Sequence, residues 1–279
     1  MRDDLRGIIA LTALTFHEAR QRKVLLLAFL LGLLFLGLFA WGARATARQA
    51  DDLPLAIARM QLNFLTLAGL YVVNFLVAVT AVALPVDTLS GDMASGIIHT
   101  LLTKPLHRAA IVIGKWLGFL ALLTLYFSFM AGGVLGATWL LAGYVPPGVS
   151  AAFPLMWLGA VVLLTMTIAG GTRLSTLANG VVIFGLYGIA FIGGWMERIG
   201  TALGNATARN LGIVSSLLVP TEVMWQYAAT FMQPALLRQA GLTPFSAAST
   251  PSPLMVVWAI GCIAVNLALA MWWFARRDL

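Results

Sequence analysis

Gly143-Tyr-Val-Pro-Pro-Gly148 interrupts a run from Trp116 to Thr172 that contains no Asp, Glu, Lys or Arg. A membrane-crossing helix takes about 20 mostly apolar residues. The run is therefore too long for one crossing, and a Gly/Pro cluster is a strong turn signal. Cut there, it becomes a hairpin of two spans, about 116–141 and 153–172. The same criterion bounds the others, because a charged side chain is costly at the bilayer centre. It gives spans at about 24–42, 61–86, 175–195 and 254–275. The expected fold is an all-α membrane protein with six transmembrane helices in one domain covering 1–279. No repeat or low-complexity tract divides it.

Composition agrees with that reading. The chain of 279 residues is 61% hydrophobic and 10% charged, whereas soluble domains carry about 25% charged residues. The net charge of +7 reads as topology, not as nucleic-acid binding. Six spans put both termini on one side. Counted that way, the terminal side holds eleven basic residues, among them Lys104, Arg108, Lys115 and Arg173, and the other side six. Basic residues concentrate on the cytoplasmic side, so both termini are expected in the cytoplasm, with the first span a retained anchor. The lone Cys262 and the scattered His17, His99 and His107 match no metal motif. No metal or catalytic residue is expected.

Two regions outside the spans are shaped. Residues 1–23 form an amphipathic interfacial helix by the spacing of Leu5, Ile8, Ile9, Thr12 and Phe16, although Leu11 and Leu14 break the stripe. Residues 197–253 form an external segment with interfacial or re-entrant helices. Pro220-Thr-Glu222 splits its apolar stretches, with Thr221 as the cap of a helix starting at Glu222. Inside the spans, Asn63, Asn74, Asn179 and Asn266 are expected to make interhelical hydrogen bonds, worth about 0.6 kcal/mol each. Gly132-Gly133, Gly170-Gly171 and Gly193-Gly194 suit close helix packing. No Asp, Glu, Lys or Arg lies in the middle of a span.

The loop at 88–110, between spans two and three, carries the functional signal. Ser90 and Ser95 can cap a helix, and Gly91 and Gly96 permit sharp backbone. Ile97, Ile98, Leu101 and Leu102 share one face. Pro105 stops the helix after Lys104, whose charge suits its C-terminal end. A second helix starts near His107. The pattern fits either a connector lying on the membrane or a surface that docks a partner.

Leu89-Ser-Gly-Asp-Met-Ala-Ser-Gly-Ile-Ile-His-Thr-Leu-Leu-Thr-Lys-Pro-Leu-His-Arg108, followed by Ile111-Val-Ile-Gly-Lys115, resembles the first cytoplasmic loop of type-two ABC transporter permeases. The matches are Ser90, Gly91, Gly96, Leu101, Leu102, Pro105, Arg108, Gly114 and Lys115. The departures are Asp92 for the usual Glu, Ile97 for Thr and His107 for Ser. The resemblance implies a coupling helix seated on a separate ABC ATPase subunit. Ile97, Ile98, Leu101 and Leu102 would be its apolar centre, and Asp92, Lys104, His107 and Arg108 its polar rim. It also implies a second permease copy, a homodimer or a paralogue, with ATP and magnesium held by the ATPase. This chain has no phosphate loop of its own; Gly114-Lys115 lacks the earlier glycine and precedes Trp116. Within the family, loop and size most resemble permeases linked to multicopper-enzyme maturation, but the eleven methionines form no spaced ligand set for copper. The reading is an exporter-type permease subunit in a bacterial or archaeal inner membrane. The alternative is an ATPase-driven scaffold that acts on an extracytoplasmic partner through 197–253. A secondary carrier or an intramembrane enzyme would need titratable or nucleophilic constellations that the sequence does not offer.

Overall fold

The computed structural model describes residues 2–20, 23–50, 53–94, 107–234 and 251–276. A chain this apolar has no water to satisfy its amides inside a bilayer, so it satisfies them within helices. These are α1 (Arg2–Arg20), α2 (Lys23–Ala50), α3 (Leu55–Ala83), α4 (Thr88–Ala94), α5 (Arg108–Ala142), α6 (Val149–Gly171), α7 (Thr176–Ala202), α8 (Ala206–Leu218), α9 (Thr221–Met232) and α10 (Leu254–Ala275). Among the described residues there is no strand. Six helices, α2, α3, α5, α6, α7 and α10, are long and apolar enough to cross a membrane. The most enclosed is α6, and α2 and α10 are peripheral, with apolar outward faces.

The turn between α5 and α6 is built on its two glycines. Gly143 ends α5 with φ 60° and Gly148 precedes α6 with φ 62°, a left-handed backbone that glycine adopts without steric cost. Gly148 has a second constraint: a Cβ there would stand 2.5 Å from the carbonyl oxygen of Phe231.

Helix α1 packs along α5. Its buried residues Leu11, Thr15 and Ala19 recur every four positions, one face of a helix. Gly114 admits Leu11 and Gly118 admits Thr15, so both chains ascend together; a Cβ at Gly114 would lie 2.7 Å from Leu11 Cβ. The face therefore differs from the expected stripe. Leu11 is its centre, whereas Ile9 is 68% exposed. At a membrane surface an outward leucine or isoleucine meets lipid, so hydrophobicity alone does not mark the packing face.

The segment after α7 turns back into the bundle. Helix α7 runs to Ala202, past the Met196 at which its uncharged run ends. Helix α8, capped by Asn205, whose side chain accepts from the Ala208 amide, descends antiparallel to α7. Gly200 lies against Ala208 and Arg209, and Gly193 against Ser215. Helix α9 then climbs antiparallel to α6, from Thr221 beside Gly159 to Phe231 beside Gly148. Gly159 is ten residues into α6, about 15 Å along its axis. The tip of this re-entrant hairpin therefore lies about 15 Å from the α5–α6 turn, a length about half that of a ~30 Å hydrocarbon core. Ten of the twelve residues of α9 are buried. Thr221 is not the cap expected of it. It is the first helical residue, Pro220 precedes it, and its hydroxyl has no hydrogen-bond partner among the described residues.

Two of the four asparagines tie helices together. Asn63 donates to Tyr144 Oη at 2.9 Å and to the Met232 carbonyl at 2.8 Å, and Asn179 donates to the Thr167 carbonyl at 2.9 Å. Asn266 instead bonds back to Cys262 in its own helix. Asn74 makes no hydrogen bond among the described residues. Of the paired glycines, Gly133, Gly170, Gly171, Gly193 and Gly194 face a side chain within 4 Å, and Gly132 faces nothing.

Candidate functional site at the α3–α5 connection

The near end of the bundle (α4 and the start of α5) holds both feet of the connection. The entry foot is the turn Pro85–Asp87 and the helix α4. Thr176, first residue of α7, donates to Asp87 Oδ1 at 2.7 Å and shares a 2.8 Å hydrogen bond with Ser90 Oγ. Lys115, only 4% exposed, reaches from α5 to the Thr88 carbonyl at 3.4 Å. Leu89 is buried beneath, against Gly171. Asn179 sits behind the foot, and Gly170 makes room for it: a Cβ there would meet Asn179 Oδ1 at 2.1 Å.

The exit foot is the start of α5. His107 is its cap in extended conformation and is exposed. Arg108 donates from Nη1 to the Ala275 carbonyl at 3.1 Å, at the end of α10, where a cation also suits the helix dipole. Arg276 stacks over Trp272 at 4.4 Å, and Arg173 over Trp273 at 5.8 Å. The near end is thus basic and braced by aromatic rings.

Of the residues expected to form the docking site, Ser90, Gly91, His107 and Arg108 lie in this arrangement. Asp92 is in α4, of which only the backbone is described at that position. Gly96, Ile97, Ile98, Leu101, Leu102, Lys104 and Pro105, and the cap candidate Ser95, lie outside the described residues. Two roles change. Ser90 is inside α4 and bonds sideways to α7, so it is not a cap. Gly91 is helical and not in a left-handed turn; it leaves space for Asp87, whose Oδ1 would be 2.6 Å from a Cβ there. Sequence reading missed Thr176 and the reach of Lys115, because neither partnership is local in the chain.

A second polar cluster lies at the tip of the re-entrant hairpin. Arg198 of α7 and Glu222 of α9 form an ion pair, their side chains 9% and 1% exposed. Arg198 also stacks over Trp195 at 5.0 Å, and Tyr71 packs on Trp225 at 5.1 Å beside them. Glu197 is buried too. Glu197 and Arg198 stand near the end of α7 and not at the middle of a span, yet the fold buries both. The charges end the uncharged run in sequence, but in the fold they are enclosed, and Arg198 is paired with Glu222. Among the described residues no three His, Cys, Asp or Glu side chains come together.

A family model for the ABC-2 family transporter protein matches residues 15–279, all six membrane-crossing helices and both clusters. The chain belongs to the ABC-2 transporter family. It is the membrane component of an ABC-2 type transporter, and such permeases work with an ABC ATPase. A comparison with curated proteins finds no match. In this ABC-2 protein the entry foot is held by hydroxyl and carboxylate contacts whose removal is measurable. Thr176→Val keeps the shape of the side chain and deletes its hydroxyl. The loss expected is about 1 kcal/mol, since Asp87 is exposed and water can replace the donor. A lowered unfolding midpoint in detergent checks it, and an unchanged one refutes the brace.

Proposed function

We propose that this ABC-2 protein is the membrane-spanning subunit of an exporter, driven by a separate ABC ATPase that docks on residues 90–108. Two permease copies and two ATPases form the working unit, and ATP and magnesium are held by the ATPase. The observation that carries the proposal is the pair of feet. The entry foot is tied to α7 through Thr176 and to α5 through Lys115, and the exit foot to α10 through Arg108. A push on the connection is handed to four helices, two of them through side chains and not through the chain itself. The apolar face Ile97, Ile98, Leu101 and Leu102 is the surface on which the ATPase would act. The basic surplus near the termini supports placing this end in the cytoplasm.

The family supplies the energy source, an ABC ATPase, and the interior is not free of charge. Arg198 and Glu222 pair with each other, a structural use of charge, whereas a carrier cycles an unpaired group. The scaffold alternative loses ground because α8 and α9, the first half of the segment it relies on, are folded into the bundle. The likeness to permeases linked to multicopper-enzyme maturation rests on loop and size, and supplies no cargo.

The test is a paired change, Ile98→Asp with Leu101→Asp, in the permease coexpressed with its ATPase. Buried charge in an apolar interface costs several kcal/mol, enough for a loss of copurification of 100-fold or more, about 3 kcal/mol. Copurification at the wild-type ratio, with vanadate-sensitive ATP hydrolysis intact, would remove the docking surface from the proposal.

A further inference from the structure

At the end opposite α4, three arginines line one cavity. Arg44 and Arg48 stand four residues apart on α2 and Arg59 lies one turn into α3; together with Leu62 and Leu140 they enclose about 610 Å³. Residues at i and i+4 share a helix face, and like charges there repel. The helix dipole favours Arg48 at the C-terminal end of α2, but offers nothing to Arg59 near the N-terminal end of α3. Among the described residues no carboxylate pairs with any of the three. Asp51 and Asp52 follow α2 in sequence and lie outside the described residues; three guanidiniums against two carboxylates still leave positive charge.

A second cavity of about 580 Å³ shares Arg59, Gly143 and Tyr144 with the first, and Ile57, Met60, Val145 and Pro147 make it apolar. Arg59 thus stands on the border between a cationic chamber and a greasy one. The Tyr144 hydroxyl, fixed by Asn63 at 2.9 Å, is on the same border, and burial pushes its pKa up, so it stays a neutral donor. A free anion would use only the first chamber, and an uncharged lipid only the second.

We propose that the paired cavities bind an anionic amphiphile, a phosphate-bearing head on the arginines and an acyl chain over Met60 and Val145. Guanidinium is the side chain best suited to a phosphate, because its forked donors match two oxygens at once. The site lies far from the α3–α5 connection and does not depend on how the protein is driven.

The experiment is lipid binding to the purified full-length chain in neutral detergent, read by native mass spectrometry and by the unfolding midpoint. The probes are phosphatidylglycerol, phosphatidylcholine, glycerol 3-phosphate and inorganic phosphate. Phosphatidylglycerol is expected to bind at least about tenfold more tightly than phosphatidylcholine. Each basic residue near an anionic head strengthens binding by roughly fivefold, so Arg44→Gln, Arg48→Gln, Arg59→Gln together weaken it by about 100-fold. All three are exposed, and the single Arg59→Gln change, expected to cost about fivefold, serves if the triple variant does not fold. Met60→Asn with Val145→Asn weakens phosphatidylglycerol and leaves any weak binding of glycerol 3-phosphate unchanged. Equal binding of the two lipids, or full binding by the arginine variants, overturns the proposal. Inorganic phosphate binding as tightly as phosphatidylglycerol overturns the amphiphile and leaves a plain anion site.

Discussion

Truncating Arg198 to alanine is expected to destabilise the folded bundle by about 3–5 kcal/mol, because it strands a buried carboxylate. Glu222 is 1% exposed, so bulk solvent does not reach its carboxylate in the intact fold. Glu222→Ala leaves the mirror defect, with Arg198 still stacked on Trp195. Replacing both, Arg198→Met with Glu222→Met, removes both desolvation penalties and is expected to recover most of the loss. The three variants and the wild type make a double-mutant cycle, read by thermal unfolding in one detergent. If the single changes each cost under about 1 kcal/mol, the pair is not enclosed as described.

The second large effect is steric. Gly212→Leu places a side chain where α7 and α8 touch: a Cβ there would lie 2.6 Å from the Gly193 carbonyl oxygen and 2.8 Å from the Glu197 amide nitrogen. Backbone atoms cannot rotate away, so the helices must part, at about 3 kcal/mol, the upper end of what overpacking costs. Gly132→Ala is the matched control. It lies within α5 and faces nothing within 4 Å, so alanine should stabilise by roughly 0.5–1 kcal/mol through helix propensity. Expression level and unfolding midpoint of the two variants should move in opposite directions. A Gly212→Leu protein as stable as the wild type would mean that α8 is not seated on α7.

The six crossing helices were legible because their evidence is local. A charge-free run reports the cost of burying charge, and Gly143 and Gly148 mark a turn that only their backbone freedom permits. What escaped was non-local. Glu197 and Arg198 mark the end of a span when read along the chain. Only the return of Glu222 from 24 residues later makes that depth tolerable for Arg198. In the same way Leu11 looks like an error in an amphipathic stripe until Gly114 is placed opposite it. At the candidate site, Arg108 and Ser90 were recognisable from the loop pattern. Thr176 and Lys115, which hold the entry foot, belong to other helices, and nothing in their immediate sequence announces the partnership.

The re-entrant hairpin also orders the biogenesis of the protein. Helices emerge from the ribosome in chain order, yet α9 packs on α6 and faces Tyr71 of α3 across Trp225, both made earlier. Its seat exists only after those helices and α7 have entered the membrane and met. An unpaired charge is costly to bury, so Glu222 gains a favourable seat once Arg198 is there to pair with it. Seating of the hairpin is therefore expected to follow insertion of α3, α6 and α7, with Glu222 buried as it meets the guanidinium that α7 already holds.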